Sequence, residues 1–268
     1  MSLIQAHAEH KTIIGMVHLP PLPGTPFHRA GTFTKIVETA VSSARALDEA
    51  GADGCLVQTV DRVYPVIDDA DPARVAALAI LVHEIDAATS TAFRIGVQVM
   101  CNANQAALAV ASVGGGTFIR ATALVGASMT PHGLVQSDAE AVMRYRSAIG
   151  AREVDIVADI DTMHFRWFGG EKPIGEIARA ARLVGASAVA LSNPDMRAVI
   201  GAVEAVRAAT PDMPVMLAGG TNHDNVDQLL RVADGAFVGS CLERSGWGGS
   251  IDPELARSYV NAVRQLGR

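Results

Sequence analysis

Cysteine is scarce in this chain. Its three residues, Cys55, Cys101 and Cys241, lie far apart in 268 positions. That spacing makes neither a disulfide framework nor a zinc knuckle, and buried thiols of a reducing compartment are the plain reading. Aromatic side chains are also few, at 4%. No apolar run approaches the roughly 18 residues that a membrane span needs. The opening MSLIQAHAEHKTIIG has no basic stretch leading into a long apolar one, so it gives no sign of a secretory leader. The net charge of -6 comes from scattered residues. With no Lys/Arg run and no basic patch, nucleic acid and an anionic membrane are poor partners. There is no Gly-x-x-x-x-Gly-Lys loop, which argues against a P-loop nucleotide hydrolase. Lys11, Lys35 and Lys172 stand away from strand ends, which leaves no lysine for imine chemistry. A soluble cytoplasmic protein is expected.

Apolar residues make up 49% of the chain, with Ala and Val prominent. They recur as eight short runs, each leading into a helix-like stretch. Alternation of strand and helix implies βαβ units and a parallel sheet. Eight units in about 250 residues is the size of a closed (β/α)8 TIM barrel, here a single α/β domain over residues 1–268. The strands are read at 12–18, 54–59, 93–99, 117–122, 155–160, 188–192, 215–218 and 235–238. Helices are read near 33–50, 72–89, 103–113, 137–149, 174–184, 195–209, 223–232 and 253–266. Asp71-Pro72, Asn193-Pro194 and Asp252-Pro253 mark helix starts, and Gly51, Gly114, Gly150 and Gly185 mark helix ends. Helix-to-strand joints are short, but the strand-to-helix joints at 19–32, 60–71, 121–136 and 161–173 are long. In a TIM barrel these long loops gather on the face that carries the chemistry.

Side chains alternate in direction along a strand, so polar residues at the last inward positions form a ring around the barrel mouth. His18, Gln58, Gln98, Arg120, Asp159, Asp161 and Ser192 are the candidates, with Asn102, Thr122 and His164 just beyond. Arg120 ends an apolar strand and, if it points inward, needs a carboxylate. Asp159 is the natural partner and Asp161 the second choice. In Asp159-Ile160-Asp161-Thr162-Met163-His164 two carboxylates stand two residues apart, with an imidazole after them and His18 able to approach across the barrel. This set suits a divalent metal at Asp159, Asp161 and His164, or metal-free acid/base work, or structural hydrogen bonding. The last two units end in Gly219-Gly220-Thr221 and Gly239-Ser240. Glycines there let backbone N–H groups approach an anion, and a short helix near 240–244 would add its positive end. A phosphorylated small molecule is the ligand that such a cradle suits.

Gly15-Met16-Val17-His18-Leu19-Pro20-Pro21-Leu22-Pro23-Gly24-Thr25-Pro26 resembles the signature of the BtpA family. The likeness continues through Gly51-Ala52-Asp53-Gly54, Phe118-Ile119-Arg120, Gly126-Ala127, Thr130, Gly133, Arg144-Tyr145-Arg146, Ala158-Asp159, His164, Ala233-Asp234-Gly235 and Val238-Gly239-Ser240. The resemblance implies a TIM barrel of the ribulose-phosphate-binding type. One branch of that family is named for photosystem I biogenesis, and others accompany carbohydrate or nucleoside metabolism. The chain departs from the family where Val-Glu-Asn becomes Val57-Gln58-Thr59, an asparagine becomes Gln98, and Asp-x-His-x-Lys-His becomes the stretch from Asp159 to His164. The phosphate end is better kept than the chemical end.

Two functions follow as expectations. One is an enzyme of isomerase, epimerase or lyase type on a sugar or ribosyl phosphate. Gly219, Gly220, Gly239 and Ser240 would hold the phosphate, and Gln58, Gln98, Asn102, Arg120 and Ser192 the rest of the substrate. His18, Asp159, Asp161 and His164 would do acid/base work. The other is a non-catalytic assembly or regulatory protein that uses the barrel as a platform. Apolar helix surface such as that from Ala76 to Val82 would serve a core or a homo-oligomer equally.

Overall fold

The computed structural model describes Ile4, residues 10–246 and residues 248–266. Most of the opening segment read above for a leader lies outside the described residues. Along the chain run β1 (Thr12–Leu19), α1 (Phe33–Glu49), β2 (Gly54–Thr59), α2 (Pro72–Ala88), β3 (Arg94–Gln98), α3 (Asn104–Gly114) and β4 (Phe118–Ala121). Next come β5 (Ala127–Thr130), β6 (Gly133–Gln136), α4 (Ala139–Ala148), β7 (Asp155–Asp161), α5 (Ile174–Leu183) and β8 (Ala188–Leu191). The chain closes with α6 (Met196–Ala209), β9 (Val215–Leu217), α7 (Val226–Leu229), β10 (Gly235–Val238) and α8 (Pro253–Arg264). Eight strands close a barrel in the order β1, β10, β9, β8, β7, β4, β3, β2, and every pairing in it is parallel. The expected TIM barrel is therefore the fold.

The strands are apolar on both faces because both are buried. One face meets the helices. The other fills the barrel with Ile14, Met16, Leu56, Phe118, Val157 and Phe237, and Ile4 belongs to the same cluster. Above this plug the inward positions turn polar. His18 pairs in register with Gln58, and Gln58 with Gln98, so three polar side chains of neighbouring strands stand at one height.

Asp71 and Asp252 cap α2 and α8 as their Asp-Pro pairs predict, accepting from Ala73 N and from Glu254 N and Leu255 N. At α6 the cap falls two residues later than Asn193. Asp195 accepts from Arg197 N at 2.9 Å, while Asn193 receives Asp195 N in the turn before it. The α3 helix ends at Gly114, as read, and Gly115 caps it at φ +90°. The expected helix over 223–232 shrinks to α7, four residues long, and the short helix near 240–244 is a three-residue 3-10 turn at Ser240–Leu242. The loop after β4 contains what sequence pattern did not signal, an antiparallel hairpin of β5 and β6. Its Val135 is buried with Phe165, Met100, Cys101 and Ala123, which roofs one side of the mouth.

Gly96 of β3 lies against the Phe118 ring, and a β-carbon there would run into it. Gly96→Ala should therefore destabilise the barrel by about 1–3 kcal/mol, the usual cost of overpacking. Adding Phe118→Leu to that variant should recover part of the loss. Urea unfolding of the single and double variants measures both.

Candidate active site

Arg120 and Asp159 form the centre of the mouth. They come from adjacent strands, β4 and β7. Arg120 donates through Nε to Asp159 Oδ1 at 2.8 Å and through Nη2 to Oδ2 at 3.2 Å. Both side chains are buried, and the guanidinium sits 5.0 Å from the centre of the Phe237 ring. Thr162 donates its hydroxyl to Asp159 Oδ2 at 3.0 Å, and its oxygen receives the N–H groups of His164 and Phe165. One threonine thus ties the carboxylate to the turn that presents His164. Burial is the main cause that pulls His164 down to a pKa of about 4, and the Arg120 charge adds to it. Asp159 opposes the shift and His18 reinforces it. At neutral pH the His164 ring is therefore uncharged.

His18 closes the other side of this group. Its Nδ1 lies 3.0 Å from Glu243 Oε1, and the carboxylate also receives Gly249 N at 3.2 Å. Glu243 is buried and fixes the ring's orientation, as carboxylates commonly do for working histidines. The ring rests against Gly239, where an added β-carbon would come to 3.1 Å from His18 Cε1. His18 thereby lies between His164 and the glycine loops. Gly219 and Gly220 hold φ of +110° and +82°, a backbone that favours glycine, and open space surrounds the position of a β-carbon at each. Asn225 Nδ2 donates to the Gly220 carbonyl at 2.9 Å and fixes that loop. The 3-10 turn starts at Ser240, so its first N–H groups lack partners within the turn.

Other candidates take different roles. Gln58 Nε2 donates to Gln98 Oε1 at 2.7 Å, and Gln98 Nε2 to Thr122 Oγ1 at 3.3 Å, a neutral chain across β2, β3 and the end of β4. Asn102 is a loop clamp. Its Oδ1 takes Ala123 N at 2.8 Å and Asn104 Nδ2 at 3.0 Å, and its Nδ2 faces the carbonyls of Ala123 and Gln136. Ser192 sits half-buried just past β8, with its N–H on the Asp161 carbonyl at 2.7 Å.

Asp161 does not share the setting of Asp159. The pairing with β8 shifts register between them, and Asp161 meets Arg166 at the rim at 2.6 Å. Burial pushes its pKa up, against the Arg166 charge. Among the described residues no three His, Cys, Asp or Glu side chains stand together as a metal-holding group. Of the three residues read as a possible metal set, Asp159 is paired with Arg120 and Asp161 with Arg166, while His164 stands over the first pair.

Sequence reading missed Glu243, Thr162 and the buried pair Asp61–Arg74. None of them lies at an inward strand end, where polar residues were sought. The thiols of Cys55, Cys101 and Cys241 are all pushed up by burial. A cavity of about 970 Å3 opens beside the mouth, between α1 and the segment before α8, and His18 and Met16 line its inner end.

The family model described as the BtpA family matches residues 9–265. The photosystem I biogenesis protein BtpA of Synechocystis is 31% identical, with 99% of this chain and 92% of that protein covered. An uncharacterized protein of Archaeoglobus fulgidus is 32% identical over 95% of this chain and 99% of its own length. Among solved structures, tryptophan synthase from M. tuberculosis superposes with a TM-score of 0.62 at 19% identity, covering 97% of this chain and 94% of that one. Thiamine phosphate pyrophosphorylase from Pyrococcus furiosus gives 0.56 at 15%, over 95% and 96%. Phosphoribosyl anthranilate isomerase from Thermococcus kodakaraensis gives 0.55 at 14%, over 95% and 99%. These structural likenesses show the fold. No helix among the described residues is long and apolar enough to cross a membrane.

Removing one partner of a buried ion pair costs about 3–5 kcal/mol, whereas an apolar replacement of both is often tolerated. Arg120→Met should accordingly lower stability by about that amount, and Arg120→Met with Asp159→Leu should restore most of it. Denaturant midpoints of the three proteins decide this. A second expectation concerns pH. The unfolded His164 takes its proton near the ordinary 6.5 and the folded one only near 4. Between those values the unfolded chain binds more protons, so stability is whole above 6.5 and declines as pH falls toward 4. In His164→Gln the decline over that window should be shallower than in the parent, by urea unfolding at a series of pH values.

Proposed function

The chain belongs to the BtpA family, and on that footing we propose that it is an enzyme acting on a small phosphorylated metabolite. The substrate is a sugar or ribosyl phosphate, and the chemistry is proton transfer of the isomerase, epimerase or lyase type. The observation that carries the reading is the placement of His164. An imidazole kept neutral by burial stands over a fixed guanidinium–carboxylate pair, with a second imidazole, His18, between it and the glycine loops.

The geometry supports one division of labour. Gly219, Gly220, Gly239 and Ser240 supply backbone N–H groups to the phosphate, with open space at the first two. His164 accepts a proton from a carbon next to a carbonyl, and Arg120 sits where it offsets the negative charge that builds on the carbonyl oxygen. His18, held by Glu243, moves a proton on the opposite side. Gln58 and Gln98 offer amide groups to substrate hydroxyls. Solved structures that share the fold include proteins named for thiamine phosphate and for phosphoribosyl anthranilate, which accords with a phosphorylated substrate.

A panel of aldose and ketose phosphates in deuterated water, with and without Mg2+, tests the proposal by NMR. Deuterium should enter at the carbon next to the carbonyl of at least one member. His164→Ala should lower that exchange by about 10²–10⁴-fold, the usual worth of a general base. Gly220→Val should weaken binding at least tenfold. A saturating ligand at about 100 times its Kd should also raise stability by about 2.7 kcal/mol. If no phosphorylated compound in the panel binds, the enzyme reading falls and a non-catalytic binding platform takes its place.

A further inference from the structure

We propose that the cavity between α1 and the segment before α8 is a binding site for the polyhydroxylated part of a carbohydrate ligand. The inference rests on the phosphate reading of the mouth and extends it: the phosphate sits on the glycine loops, and the rest of the molecule passes His18 into the cavity.

Size and walls come first. At about 970 Å3 the cavity has room for a monosaccharide unit with space for extension. Leu19, Phe27, Ile36 and Ala40 give it an apolar side, and Phe27 is 43% exposed there with the Arg62 guanidinium 5.0 Å from its ring centre. An aromatic face with polar groups around it fits the C–H surface and hydroxyl edge of a sugar.

Asp61 supplies the specific contact. It lines the cavity just past β2, and its side chain is only 2% exposed. Arg74, from α2, donates through Nη2 to its Oδ2 and also to Thr59 Oγ1, and through Nη1 to the Met100 carbonyl. The other carboxylate oxygen, Oδ1, has no hydrogen-bond partner. Nearby Thr25 gives its hydroxyl proton to the Leu22 carbonyl at 2.8 Å, so that proton is already committed. A buried carboxylate oxygen without a donor is costly. A ligand hydroxyl removes that cost.

Charge separates hydroxyl from ammonium as the donor. Arg29, Lys35 and Arg62 also line the cavity, and the one acid among its described lining residues, Asp61, is already paired with Arg74. Such a surround repels a cationic ligand and accepts a neutral or anionic one. His18 belongs to both compartments, so a sugar phosphate that bridges them would carry its reacting carbons past the imidazole.

The test uses the full chain and neutral probes. D-ribose, D-glucose and maltose are titrated in saturation-transfer NMR, and inorganic phosphate is titrated separately by thermal shift. At least one neutral sugar should bind. Thr39→Phe fills the cavity from α1 without touching an ion pair and should weaken that binding at least tenfold, with the phosphate response unchanged. Asp61→Asn should do the same if it folds. Gly220→Val should show the reverse pattern, with phosphate lost and sugar kept. A phosphate response without any sugar binding, or sugar binding indifferent to Thr39→Phe, overturns the cavity proposal. Sugar binding sensitive to Thr39→Phe, with no phosphate response, leaves the cavity standing and removes the phosphate reading.

Discussion

A guanidinium and a carboxylate buried in an apolar barrel hold each other in place, and much of the mouth is arranged around that pair. Arg120 and Asp159 sit directly above the aromatic and aliphatic plug, where neither would be tolerated alone. Their two hydrogen bonds use both carboxylate oxygens, and Thr162 adds a third. Because the same Thr162 oxygen receives the His164 and Phe165 N–H groups, the turn after β7 is hung from the ion pair. Phe165 then anchors the cluster that includes Val135 of the hairpin. One electrostatic requirement thereby fixes the imidazole, the turn and the roof over one side of the mouth.

The barrel was legible because its signal is periodic. Eight apolar runs with caps and glycine ends are a long-range pattern, and each run fell within a residue or two of a strand. Arg120 was legible for a different reason: a charge at an inward strand end must be paired, and the adjacent strand offered Asp159. Asp161 misled because strict alternation assumes an unbroken ladder. The register shift between Asp159 and Asp161 breaks it, and Arg166, five residues on, takes the second carboxylate. The hairpin of β5 and β6 is only four residues a side and is held by contacts to Met100, Cys101 and Phe165, distant in sequence, so local pattern carries little of it.

Glu243 shows where sequence reasoning stops. It follows a 3-10 turn, bridges to Ile251 just before the cap of α8, and reaches His18 from 225 residues away. Nothing in its neighbourhood in the chain marks it as buried. Closure of the barrel creates the contact, because β10 comes to lie beside β1 only when the sheet is complete.

The acids around the mouth have one property in common that bears on what the site accepts. Asp159 is matched by Arg120, Asp161 by Arg166 and Asp61 by Arg74, while Glu243 is bound to His18 and to Gly249 N. Gln58 joins an uncharged chain with Gln98 and Thr122. Among the described residues, an anion entering between the glycine loops and His164 therefore meets no unpaired carboxylate at close range, and repulsion at short distance in a dry site is strong. A neutral His164 is cheaper to bury than a charged one. These choices of residue suit the doubly charged phosphate proposed as ligand, in a chain whose overall charge is negative.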